Sequence, residues 1–189
     1  MITPLRTCWA LALLLAAVPL APAAAPAQAP TDPGNHAVTA VPAVDLDRYA
    51  GLWFEIARIP NRFQKQCARE SLALYSRRAD GRLKVVNQCR RKNGQVDQAR
   101  GVARVIDTRS RAKLKVSLVS FLGLRPFWGD YWIIGLDENY RWAVVGSPDR
   151  RYGWILARTP TLERSTLDMI FSIIERNGFR REAFASDAP

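Results

Sequence analysis

Histidine is almost missing from this chain: His36 is the single one among 189 residues. That scarcity excludes a histidine-based catalytic triad and a histidine-rich zinc site. Glycine-rich phosphate loops do not occur in the sequence either, which leaves nucleotide-dependent catalysis without its usual cradle. No apolar run reaches the roughly 18 residues that a membrane-spanning helix needs. Acidic residues are short in number, 17 against 28 basic ones, so the formal net charge is +11 and the pI is near 10.3. Such a balance suits anionic partners: phospholipid head groups, acidic polysaccharide or nucleic acid. A basic surface that merely keeps the protein soluble is the plain alternative.

The N-terminus carries a positive residue, Arg6, and then an apolar run from Trp9 to Leu20 that is too short to span a bilayer. Ala21-Pro22-Ala23 offers small residues at a signal-peptidase spacing, with Ala23-Ala24-Ala25 as a second choice. The pattern predicts a cleaved signal peptide over residues 1–23 and a periplasmic protein, or one associated with the outer membrane. Cys8 precedes the apolar core, the wrong order for a lipidated cysteine, and leaves with the signal. Cys67 and Cys89 remain, an even count in an oxidising compartment, which favours one disulfide. Residues 24–43, rich in Pro, Ala, Thr and Asn, read as a flexible leader.

From residue 52 onward, short alternating segments follow one another with little between them. Strands are predicted over 52–59, 69–78, 82–91, 95–106, 112–119, 129–137, 141–147 and 152–158. Asp80-Gly81 and Asn93-Gly94 are strong hairpin pairs, and polar turns follow at 107–110, 137–139 and 147–149. Eight strands on short turns imply an all-β, up-and-down antiparallel barrel, wide enough for one small ligand. The period then changes. Leu162, Leu167, Ile170, Phe171 and Ile174 form one apolar stripe of a helix predicted over 161–177, with Thr161 as its cap and Asn177-Gly178 as its stop. That helix packs outside the barrel, and Phe179 to Phe184 suggests a short final strand.

Two stretches carry a family resemblance. DLDRYAGLWFEIARIPNRFQKQC, Asp45 to Cys67, contains the Gly51-Leu52-Trp53 core; YWIIGLDENYRWAVVGSPDRRYGWILARTP, Tyr131 to Pro160, ends on Arg158. In this order and separation they resemble the first and last blocks of the lipocalins, in the bacterial and apolipoprotein D-like branch, over roughly Val44 to Phe184. The resemblance implies an eight-stranded barrel around an apolar ligand. It places Trp53 inside the closed end with Arg158 across its ring, and makes Gly51, Trp53 and Arg158 structural residues.

Face alternation then distributes the interior. Anchoring on Arg158 turns Leu156, Trp154 and Tyr152 inward; anchoring on Trp53 does the same for Glu55 and Ala57. Glu55, a buried carboxylate, needs a partner, and Arg158 is one candidate. A three-residue loop around Asp80-Gly81 pairs Tyr75 with Val85. The family pattern adds Ala73, Asn87, Ala103, Val116 and Leu118, and then Tyr131, Ile133 and Val145 as ligand-binding positions. Gly101, Ala103 and Ala143 are expected to leave volume unfilled. A one-residue slip would invert any of these strands and give a filled core instead. Phe121, Leu122, Leu124, Phe127 and Trp128 form an apolar loop, either a ligand portal and membrane-touching lip or a flap folded down over the barrel. Basic clusters fall on both ends, so charge alone does not single out the mouth.

The resulting expectation is non-catalytic binding, transport or storage of a fatty acid or lysophospholipid in the cell envelope. No cofactor or metal is expected, nor nucleic acid. The partners are a lipid or other apolar small molecule, with peripheral membrane contact and a monomer or weak homodimer as the expected state. The alternatives are a basic envelope protein with a filled barrel that binds anionic surfaces or nucleic acid, and a carboxylate-based hydrolase.

Overall fold

Hairpin turns that the sequence marks in advance carry the chain up and down until its two ends of sheet meet. The computed structural model describes residues 37–119 and 124–186. The expected signal peptide, the expected leader as far as His36, and Phe121 and Leu122 lie outside the described residues. The strands are β1 (Gly51–Arg58), β2 (Cys67–Arg77), β3 (Leu83–Arg91), β4 (Val96–Val105), β5 (Lys113–Ser117), β6 (Gly129–Leu136), β7 (Trp142–Gly146) and β8 (Gly153–Ala157). Each pairs antiparallel with the next, and β1 pairs with both β2 and β8, which closes an eight-stranded barrel. Tyr75 lies opposite Val85, as the loop length requires.

Two apolar cores result. The inner one fills the lower barrel with Trp53, Leu83, Leu114, Ile133 and Val145. The outer one lies between the sheet and a helix, α2 (Arg164–Arg176). Ile170 and Ile174, four apart on one face, are fully buried against Val144 and Ile155. Each such side chain contributes about 1.5–3 kcal/mol.

Several expectations are corrected. The helix starts at Arg164, not at 161: Thr159 Oγ1 donates to the Thr161 carbonyl at 2.7 Å, and this local turn keeps Thr161 out of the cap. Phe179 to Phe184 is not a strand. Both phenylalanines anchor the outer core, a single 3₁₀ turn (Arg181–Ala183) lies between them, and the short β9 (Ala185–Ser186) then pairs with β1. Residues 37–43 of the expected flexible leader are held by the fold: the Val41 amide donates to Ile133 O at 2.9 Å and the Thr39 amide to Asn177 Oδ1 at 2.8 Å. A β-bulge between Glu55 and Ala57 inverts the alternation, so Ala57 joins the outer core. Another register shift lies between Ile133 and Gly135 in β6.

Candidate functional site

The closed end is built around Trp53, which is 0% exposed. Its Nε1 donates to the Tyr49 carbonyl at 2.8 Å, at the end of a one-turn helix, α1 (Leu46–Tyr49). Arg158 lies over the indole with Cζ 3.7 Å from the ring centroid. The same guanidinium donates to Arg48 O (2.8 Å) and Ala50 O (2.9 Å), carbonyls that the helix end leaves open, and to Leu52 O (2.6 Å) in β1. Gly51 runs between them at φ +101°, and a Cβ there would come within 3.1 Å of Arg158 Nη1. Only glycine meets both conditions without strain.

Above this plug lies a bonded trio of phenols. Tyr131 Oη sits 2.8 Å from Tyr49 Oη and 2.9 Å from Tyr75 Oη, all buried. Burial raises all three acidities' pKa values above the usual phenol range, Tyr75 to about 12, with the neighbouring phenols adding to the rise at Tyr49 and Tyr131. The phenols therefore stay neutral and form a polar but uncharged floor.

On that floor stands a cavity of about 520 Å³, within the range of about 300–1,000 Å³ typical of small-molecule sites. Ala73, Tyr75, Val85, Asn87, Val116, Leu118, Tyr131, Tyr152 and Trp154 line it, positions that alternation, the hairpin register and the family pattern turned inward. Ala103, Ile133 and Val145 do not. They point inward but belong to the packed core beneath the cavity, since alternation gives a face and not a depth. Nor do the small residues leave space. A Cβ on Gly101 would meet Ser117 O at 2.5 Å and Leu118 Cδ2 at 2.7 Å, and Ala143 is 0% exposed. Asn87 lines the cavity, and its Oδ1 is buried with no hydrogen-bond partner among the described residues.

One wall of the mouth is aromatic and hydrogen-bonded. Tyr152 stacks on Trp154 with centroids 6.2 Å apart, and Phe63 meets Tyr152 at 5.8 Å. Gln64 joins this wall to Glu55: its Oε1 accepts from Trp154 Nε1 at 3.0 Å and its Nε2 donates to Glu55 Oε2 at 2.8 Å. Glu55 is ion-paired with Arg58 at 2.6 Å, not with Arg158, whose donors are spent on backbone carbonyls. Nothing in the sequence marks Gln64 as this hub, or Tyr49 as the third phenol; both rest on contacts between distant strands.

Cys67 and Cys89 are bridged, with Cα atoms 5.5 Å apart, and both line the cavity. Two register irregularities in β2, on either side of Arg69, set Cys67 opposite Arg91 at the end of β3. Phe127 and Trp128 also line the mouth, whereas Leu124 stands clear of it; Leu124 and Phe127 are 70% and 69% exposed. This part of the loop does not fold down to fill the barrel.

A family model described as a lipocalin-like domain matches residues 44–189. The chain belongs to the lipocalin family. Among curated relatives, this lipocalin is 42% identical over 151 residues to the outer membrane lipoprotein Blc of Escherichia coli, covering 79% of this chain and 81% of that one. It is 34% identical over 140 residues to apolipoprotein D of Macaca fascicularis, covering 70% of each. Among solved structures, insecticyanin of Manduca sexta aligns with a TM-score of 0.64 at 22% identity, over 79% of this chain and 82% of that chain, a likeness of fold. Lipocalins hold small hydrophobic ligands and are generally binding and transport proteins.

Proposed function

We propose that this lipocalin binds a long-chain fatty acid or a lysophospholipid in its cavity. It carries, stores or scavenges that ligand in the bacterial cell envelope, without chemistry, as a monomer or weak homodimer. The cavity supports this reading: aliphatic walls of Val85, Val116 and Leu118 stand over neutral phenols, with the polar residues of the mouth left for a head group. An alkyl chain released from water into such walls gains about 25 cal/mol per Å² of apolar surface buried. The envelope setting is supported by the relatives named outer membrane lipoproteins.

The test is titration with oleate and with a lysophospholipid while Trp154 emission is followed, since its indole lines the cavity. A saturable change is expected, and Val116→Trp, which fills the hollow, should weaken it at least about tenfold. A flat response to every amphiphile sinks the reading.

A further inference from the structure

The two sets of loops differ in charge state more than their composition suggests. The loops at the closed end, 78–82, 106–112 and 137–141, hold five cations and four carboxylates. Several pair locally: Arg78 with Asp80 at 3.1 Å, Arg82 with the same carboxylate at 4.0 Å, and Arg141 with Asp137 at 2.9 Å. Even Arg77, at the end of β2, is taken by Asp47 at 3.1 Å. The loops at the open end, 59–66, 92–95, 118–128 and 147–152, hold six cations and one carboxylate, Asp149. Among the described residues none of Arg62, Lys65, Lys92, Arg125 and Arg151 is in an ion pair.

The same rim exposes its apolar side chains. Phe63 (49%), Val119 (45%), Leu124 (70%) and Phe127 (69%) come from two of these loops, and Val96 (53%) from the start of β4 beside them. In water such a set costs free energy; together with unpaired cations it matches a surface whose outer layer is anionic and whose next layer is hydrocarbon. A polyanion with no apolar layer would leave Leu124 and Phe127 unused.

We propose that this rim docks on an anionic phospholipid bilayer with the cavity mouth turned toward the lipid. The cations meet the head groups, Leu124 and Phe127 enter the boundary of the acyl chains, and the mouth opens onto the membrane. This goes beyond the ligand reading, because docking needs no particular cargo.

The test is co-flotation of the protein with phosphatidylcholine vesicles, with and without phosphatidylglycerol. Binding only to the anionic vesicles is expected, lost at about 1 M salt, where screening reaches about 3 Å. Lys65→Gln, Lys92→Gln and Arg151→Gln together should lower the partition coefficient by at least about tenfold. Leu124→Glu should lower it several-fold. The closed-end triple Arg82→Gln, Arg109→Gln and Arg111→Gln removes the same charge and should leave most binding intact. Equal loss in both triples would assign attraction to net charge alone and overturn the proposal. So would equal binding to pure phosphatidylcholine, or tighter binding to a DNA duplex than to anionic vesicles at the same salt. The oleate titration in vesicle-free buffer is read separately: a saturable signal without flotation ends the docking inference only, and flotation without a saturable signal ends the ligand reading only.

Discussion

The closed end and the open end of this barrel solve opposite problems with the same kind of hairpin. At the closed end, Arg158 has its donors taken by carbonyls, three phenols satisfy one another, and Arg78, Arg82 and Arg141 sit on loop carboxylates. At the open end, among the described residues, five loop cations stand outside any ion pair, and Leu124 and Phe127 stay 70% and 69% exposed. Bonding capacity that is used up inside the chain supports the fold; capacity left over is what a ligand or a surface can use.

The sharpest way to break this comparison is to truncate each end in turn. Trp53→Ala removes a fully buried indole and the ring under Arg158, and should cost about 3–5 kcal/mol in urea unfolding. Tyr152→Ala, at the mouth, should cost less than about 1 kcal/mol and show itself in ligand affinity. Equal costs would mean that the two ends share the work of holding the barrel shut.

The open end has one strong tie of its own. Cys67→Ala with Cys89→Ala opens a loop spanning 22 residues and should cost about 3 kcal/mol in the chain-entropy view. Urea midpoints in oxidising buffer would check this. A neutral result would show that hydrogen bonds around Gln64 hold the mouth without the bridge.

An effect confined to alkaline solution lies with the phenols. Their folded pKa values are raised above the unfolded value of about 10, so the folded state keeps protons that the unfolded chain releases. Stability should therefore be unaffected below about pH 10 and fall as pH climbs toward the Tyr75 value of about 12, by roughly 1.4 kcal/mol per unit for each phenol. Phenolate absorbance measured alongside unfolding should rise only as the barrel opens. Tyr131→Phe, which leaves two hydroxyls short of their partner, should cost about 1–3 kcal/mol at neutral pH and reduce the alkaline slope.

Much of the scaffold was legible because turns are local. Asp80-Gly81 and Asn93-Gly94 fix where strands end, and the eight predicted strands match the observed ones to within two or three residues at each boundary. Side-chain faces were legible wherever alternation ran unbroken. They failed at Ala57, because a bulge leaves no mark in composition, and at Ala103, Ile133 and Val145, because depth along the barrel is set by how far the core fills. Of the partners open to Glu55, the candidate Arg158 is committed to backbone carbonyls and Arg58 makes the ion pair, a choice set by distances that sequence does not carry. The difference in rim charge was hidden for the same reason. Arginines at both ends look alike in sequence, and pairing distances separate them.

Gly51 and Arg158 share no residue with the cavity wall, so the lock and the container are independent parts. A library randomised across 62–66 and 124–128 could therefore change the cargo while the latch beneath stays intact. Selection on such a chain can explore specificity at the rim with little risk of losing the scaffold, whereas a single methyl group at position 51 would put that scaffold in jeopardy.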